Sequence, residues 1–179
     1  LYVVGQFSDS VNFGNGYKVS KGGADIFVAV LDQKGNLNSV YTTGSRQNDF
    51  ANAVTIGIDG RIYVGGAFNQ AAANGGNNSI AFGSYTLTPQ AQDAFIACFD
   101  SNLSVQWATN YGGSQGDAIQ KMSASSDGNI YIAGNFNGTA SIGSNTLTSL
   151  GGNDVFVCAI DTSFNLQWAL GVGSAFVDD

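Results

Sequence analysis

Residues 117–136 read DAIQKMSASSDGNIYIAGNF, and this stretch decides the fold. A polar-to-apolar strand runs into the turn Ser126-Asp127-Gly128-Asn129. A second strand, Ile130-Tyr131-Ile132-Ala133-Gly134, leaves it. Two such runs around a tight Asp-Gly turn spell an antiparallel hairpin. The same unit stands at residues 49–68 as DFANAVTIGIDGRIYVGGAF, and its second half opens the chain at residues 1–7 as LYVVGQF.

The unit is a repeat. Tyr2, Tyr63 and Tyr131 are equivalent, spaced by about 61 and about 68 residues. A second marker, Asp25, Asp93 and Asp154, gives the same two spacings in reverse order. The extra residues therefore lie between Tyr63 and Asp93, where AAANGGNNS occupies residues 71–79. Drift confined to one Gly/Asn/Ala loop is what folded units with one tolerated surface insertion show.

Each repeat continues with six apolar residues bracketed by Asp: Asp25 to Asp32, Asp93 to Asp100, Asp154 to Asp161. Both faces of these strands are apolar, so both faces of the sheet are expected to be covered. Phe27, Phe95 and Phe156 are equivalent and are expected to be buried between adjacent sheets. After a polar turn comes another strand, in which Trp107 and Trp168 are equivalent and Ser39 takes their place in the first repeat. Gly-rich corners follow at Gly44-Ser45, Gly112-Gly113-Ser114 and Gly173-Ser174. Residues 8–23 and their later counterparts supply a small extra hairpin or a meandering loop. The fold class is therefore all-β. Antiparallel four-stranded repeats, apolar on both faces and joined by Gly corners, read as about three blades of a β-propeller, a partial ring or a fragment. The chain forms one such segment over residues 1–179, with repeat units of approximately 1–60, 61–128 and 129–179.

Composition bounds the chemistry. Hydrophobic content of 44% suits a globular chain, and abundant Gly with a single Pro suits polar turns between strands. The net charge is −7; all 13 acidic residues are Asp, and His is absent. The 6 Lys and Arg do not cluster, which argues against nucleic-acid binding through phosphate neutralisation. No apolar run approaches a bilayer span. The chain opens inside a strand pattern without an initiator Met, so it is expected to be a processed or excised piece. Cys98 and Cys158 fall on equivalent strands but are offset by one residue, which reverses the face. Two buried thiols acting as small hydrophobes are the plain reading, and a disulfide between them is the alternative.

Without His or Glu, Ser-His-Asp and Cys-His machinery and His/Cys zinc sites cannot be assembled within the chain. Phosphate-binding glycine loops are absent from the required strand-to-helix setting. Paired Asp could serve a glycosidase, but these Asp recur at turns and strand ends. No catalytic residue and no cofactor is expected. Asp49, Asp117 and Asp178 start the inner strand of successive repeats. They are read as corner caps whose carboxylates accept backbone N–H groups. The functional alternative is a set of oxygen ligands for Ca²⁺. Glycosylation sequons stand at Asn77, Asn102 and Asn137.

The order Gly-Gly-Ser-x-x-Asp, Asp-Gly-Asn-x-Tyr, Asp-x-Phe, x-Trp is best seen from Gly112 through Asp117, Asp127 to Tyr131 and Asp154 to Phe156, ending at Trp168. It resembles the bacterial SBBP-type, seven-bladed β-propeller repeats. Ser39 for Trp, Arg61 for Asn at the turn, and Gly57-Ile58 before Asp59 depart from the pattern. The resemblance implies a secreted or cell-surface bacterial protein and carries no shared catalytic residues. The expected function is a non-catalytic structural, adhesive or binding module. The alternative is a scaffold or substrate-binding domain of a larger secreted enzyme whose catalytic domain lies outside this chain. Expected partners are a protein or glycan, together with further blades of the same protein or other copies that bury the terminal sheets.

Overall fold

The computed structural model describes residues 1–69 and 78–178. The described residues are built from strands, turns and loops, without a helix. The strands are β1 (Tyr2–Phe7), β2 (Ser10–Asn12), β3 (Tyr17–Val19), β4 (Asp25–Leu31), β5 (Leu37–Thr43), β6 (Asp49–Ile56), β7 (Ile62–Asn69), β8 (Ile80–Phe82), β9 (Tyr85–Leu87), β10 (Gln92–Phe99), β11 (Val105–Gly113), β12 (Ala118–Ala124), β13 (Asn129–Ile142), β14 (Asn145–Asp161) and β15 (Leu166–Val172).

Every pairing is antiparallel. Strands β1, β4 and β5 form a three-stranded sheet. Strands β6, β7, β10 and β11 pair in that order, and β12, β13, β14 and β15 repeat the order. These are the first, second and third sheet units. Gly112 and Gly113 at the end of β11 also pair with Ser141 and Ala140, which joins the second and third units into one curled, eight-stranded sheet. The sheet units are out of phase with the sequence repeat by one strand, because β6 precedes the Asp59-Gly60 turn yet pairs forward with β7. The segment after each Tyr-bearing strand is a hairpin: β2 with β3, β8 with β9, and the outer part of β13 with β14. Most of the AAANGGNNS insertion, including the sequon at Asn77, lies outside the described residues.

The alternation of side chains gives each unit two distinct faces. A front face carries Phe27, Phe95 or Phe156 at equivalent positions. The back face carries Ile26 and Val28, Ala94 and Ile96, or Val155 and Val157. One core layer holds Phe95, Ala97 and Phe99 of the second unit with Ile26 and Val28 of the first. The other holds Phe156, Cys158 and Ile160 of the third unit with Ala94, Ile96 and Cys98 of the second. Each joint is therefore a front face seated on a back face. Phe95 and Phe156 are fully buried, as expected. Phe27 departs from the expectation: it is only half-buried, because among the described residues no sheet covers the front face of the first unit.

The layers also place the cysteines. Cys98 lies on the back of the second unit and Cys158 on the front of the third, so their one-residue offset puts both in the same layer. Both are buried free thiols. Burial pushes the Cys98 thiol up to about 11 and that of Cys158 up to about 12, which leaves them unreactive.

Candidate functional site

The carboxylates are the most abundant titratable groups, and the turns account for one set of them. Asp32 Oδ1 accepts the N–H groups of Lys34 and Asn36 at 2.7 and 2.9 Å. Asp100 does the same with Asn102 and Ser104, and Asp161 with Ser163 and Asn165. Each such turn places its fourth residue in the left-handed region: Gly35 at φ 82°, Leu103 at φ 60° and Phe164 at φ 70°. Leucine and phenylalanine are rare there, because the Cβ crowds the backbone. Their side chains reach the preceding sheet. Leu103 is 6% exposed within the layer between the first and second units. Phe164 packs on Trp107 with ring centroids 4.6 Å apart, and on Tyr111 at 6.0 Å. Burial holds the strained turn, and the turn in turn plugs the joint.

The inner corners use a second set. The N–H of Asp49 donates to the Ala24 carbonyl at 2.7 Å, that of Asp117 to Gln92 at 2.8 Å, and that of Asp178 to Asn153 at 2.7 Å. Their carboxylates accept the N–H of Ser45 at 2.6 Å, of Gly113 at 2.9 Å and of Ser174 at 2.7 Å. The Ser45 hydroxyl adds a bond to Asp49 at 2.8 Å. Asp49 and Asp117 thus tie the start of an inner strand to a Gly corner in full burial, while Asp178, which lies outside any strand, holds the Gly173-Ser174 corner nearer the surface.

The structure does not bring Asp49, Asp117 and Asp178 together. Among the described residues, no group of three or more acidic or Cys side chains lies close enough to share a metal ion. The carboxylate neighbour of Asp49 is Asp25, and that of Asp117 is Asp93. A Cβ on Gly112 would stand 2.8 Å from both Asp117 Oδ2 and Asp93 Oδ1, so the corner glycine separates the two acids. Gly44 and Gly173 pack as closely on Asp25 and Asp154, and a side chain at either would overlap the carboxylate.

Asp25, Asp93 and Asp154 were legible only as strand brackets, yet they are the inner partners of the corner caps. Asp93 is fully engaged: the Asn110 amide donates to Oδ2 at 2.7 Å and the Gln90 N–H to Oδ1 at 3.3 Å. Asp25 and Asp154 accept the N–H of Lys21 and Leu150 through Oδ2, and their buried Oδ1 atoms have no partner. The difference lies opposite them on the outer strand, where Thr42 and Gly171 occupy the register position of Asn110. Burial pushes the Asp49 carboxyl up to about 6 and that of Asp117 up to about 7, with the neighbouring carboxylate adding to each shift. Burial also raises Asp25 and Asp93. Protonation is a physically sound way to satisfy such pairs.

The surface depressions lie elsewhere. One of about 400 Å³ is lined by Gln120, Ala133, Gly134, Asn135 and Val155 on the back of the third unit. A smaller one beside it, of about 180 Å³, is walled by residues that include Lys121, Tyr131 and Val157. Neither is lined by a carboxylate. No protein-family model and no curated protein matches the chain.

Proposed function

We propose that this chain is a non-catalytic structural and binding module, an array of β-propeller blades from a secreted or cell-surface bacterial protein. The observation that carries the reading is the employment of its carboxylates. The acids of the turns and inner corners hold backbone N–H groups, and the chain has neither His nor Glu to pair with them as acid or base. The front-on-back stacking of antiparallel units supports the propeller geometry, in which successive sheets lie face to face around an axis. Succession of the inner strands supports it too, since β6 lies beside β1 on one side and β12 on the other. The SBBP-type resemblance agrees with both. A module of this kind acts by presenting surface, and the apolar depressions on the third unit are where a partner would be held.

The test is turnover against binding. The purified chain is assayed on chromogenic ester, peptide and glycoside substrates and, separately, immobilised against glycan and protein arrays. Saturable binding without turnover is the expected result. Turnover that is lost in the Asp117→Asn variant would overturn the reading.

A further inference from the structure

We infer that the joint between the second and third units is a proton-held latch. One proton shared by Asp93 and Asp117 keeps it closed, and loss of that proton lets the two sheets part while the first joint stays shut.

The acid pair straddles the joint. Asp93 lies on β10 of the second unit, and Asp117 stands just before β12 of the third. Both are buried, and the Cβ position of Gly112 is 2.8 Å from an oxygen of each. Two carboxylates held this close and away from water do not both ionise without a large cost, so one of them keeps a proton. The groups that face them are neutral. The Asn110 amide and the Gln90 N–H donate to Asp93, the Gly113 and Asn137 N–H groups donate to Asp117, and the Gln92 carbonyl takes the Asp117 N–H. Among the described residues no cation faces this pair; the charge nearest each acid is the other acid. The first joint differs. Its pair is Asp25 and Asp49, and the charge and N–H of Lys21 both favour ionised Asp25.

The rest of the second joint favours opening once the pair is charged. The acids lie beside the short backbone link between the units, Gly112 with Ser141 and Gly113 with Ala140. The layer behind them holds the Trp107 indole N–H and the Tyr111 hydroxyl, both buried without a partner. Opening returns both donors to water and removes the cost of leaving them unpaired. Among the described residues the layer of the first joint has no orphaned donor. The sign of the pH response follows. In the closed joint burial holds the Asp117 carboxyl up at about 7, and exposure lets it fall toward the ordinary 3.8. The open form therefore sheds its proton first, so opening increases as pH climbs from about 4 to 7 and levels off above.

The buried thiols supply the reporter, because Cys98 and Cys158 lie on the two sides of this joint. Their labelling by 4,4′-dithiodipyridine is followed from pH 4 to pH 8, each rate divided by that of the urea-unfolded chain at the same pH. The corrected rate is expected to rise about tenfold or more between pH 5 and pH 7 and to flatten above. Asp117→Asn removes the titrating group and should give a flat profile; Asp93→Asn repeats the experiment should that variant fail to fold. Val28→Cys, in a chain whose two native cysteines are Ala, reports on the first joint, since Val28 is buried in its layer. That thiol should be labelled several-fold more slowly at pH 7. A wild-type rate that does not rise with pH overturns the inference, as does a rise that survives in both Asn variants. Equal rates at Val28→Cys and at the native thiols also overturn it, because they would mean that the chain opens as a whole.

Discussion

Leu103 offers the sharpest test of the turn geometry, because strain and burial pull its substitutions in opposite directions. The side chain is 6% exposed between two sheets, while its backbone sits at φ 60°. Truncation to Ala removes the buried atoms and leaves a cavity, a loss of about 2–5 kcal/mol. Ala keeps the Cβ and so keeps the left-handed strain. Gly loses the same packing but relieves about 1–2 kcal/mol of strain. Greater freedom of the unfolded chain takes back about 0.4–1 kcal/mol. Leu103→Gly should therefore be more stable than Leu103→Ala by about 0.5–1 kcal/mol. That is the reverse of the ordinary order, in which Gly in a regular element is the worse residue by about 0.5–1 kcal/mol. Urea unfolding followed by circular dichroism, with equal slopes for the variants, measures the difference. An Ala variant at least as stable as the Gly variant would refute the left-handed turn. Both variants within about 0.5 kcal/mol of wild type would refute the buried plug.

Phe156→Ala should cost about 3–5 kcal/mol in the same assay, and the half-buried Phe27→Ala clearly less; equal losses would mean that the first unit's front face is covered within the monomer. The raised carboxyls of Asp49 and Asp117 set a pH dependence. Between the ordinary value of 3.8 and about 6 to 7, the folded state binds protons that the unfolded state has lost. Their contribution is full below about pH 4 and is lost as pH rises through 6 to 7, so the melting temperature should fall from pH 5 to pH 8, by the equivalent of about 1–3 kcal/mol. A flat or rising profile would contradict the burial of these acids. Removal of Ca²⁺ with EDTA should leave the melting temperature unchanged, because each carboxylate already holds a backbone N–H; a large drop restored by Ca²⁺ would make them ligands instead.

The legible part of this fold is the part written in recurring residue types. Asp-Gly turns, Asp-bracketed apolar strands and Gly corners announce antiparallel units, and Phe95 and Phe156 could be assigned to the core from the run that contains them. The direction of stacking was not legible. A strand that is apolar on both sides does not say which side meets which neighbour, and only the layers show that Phe95 faces back toward the first unit. Phe27 was misjudged for that reason. Leu103 and Phe164 were hidden differently: an apolar residue in a polar turn looks like noise until the preceding Asp is seen to force the left-handed conformation at that position. The carboxylate pairing was missed because Asp93 opens a strand and Asp117 sits in the later corner before β12, and the two meet only across Gly112.

Front-on-back stacking has a consequence for how such a chain grows. Each unit carries both halves of a joint, a plug on one side and a socket on the other. A duplicated stretch of coding sequence therefore arrives with its contacts already matched to whatever stands before and after it. Copy number can change by whole units without reversing the polarity of any joint, whereas a mirror-symmetric joint would tolerate only additions in pairs. The copies already differ within the joints, Ser39 against Trp107 and Leu103 against Phe164, so plug and socket have changed in size while the front-on-back order is the same at both.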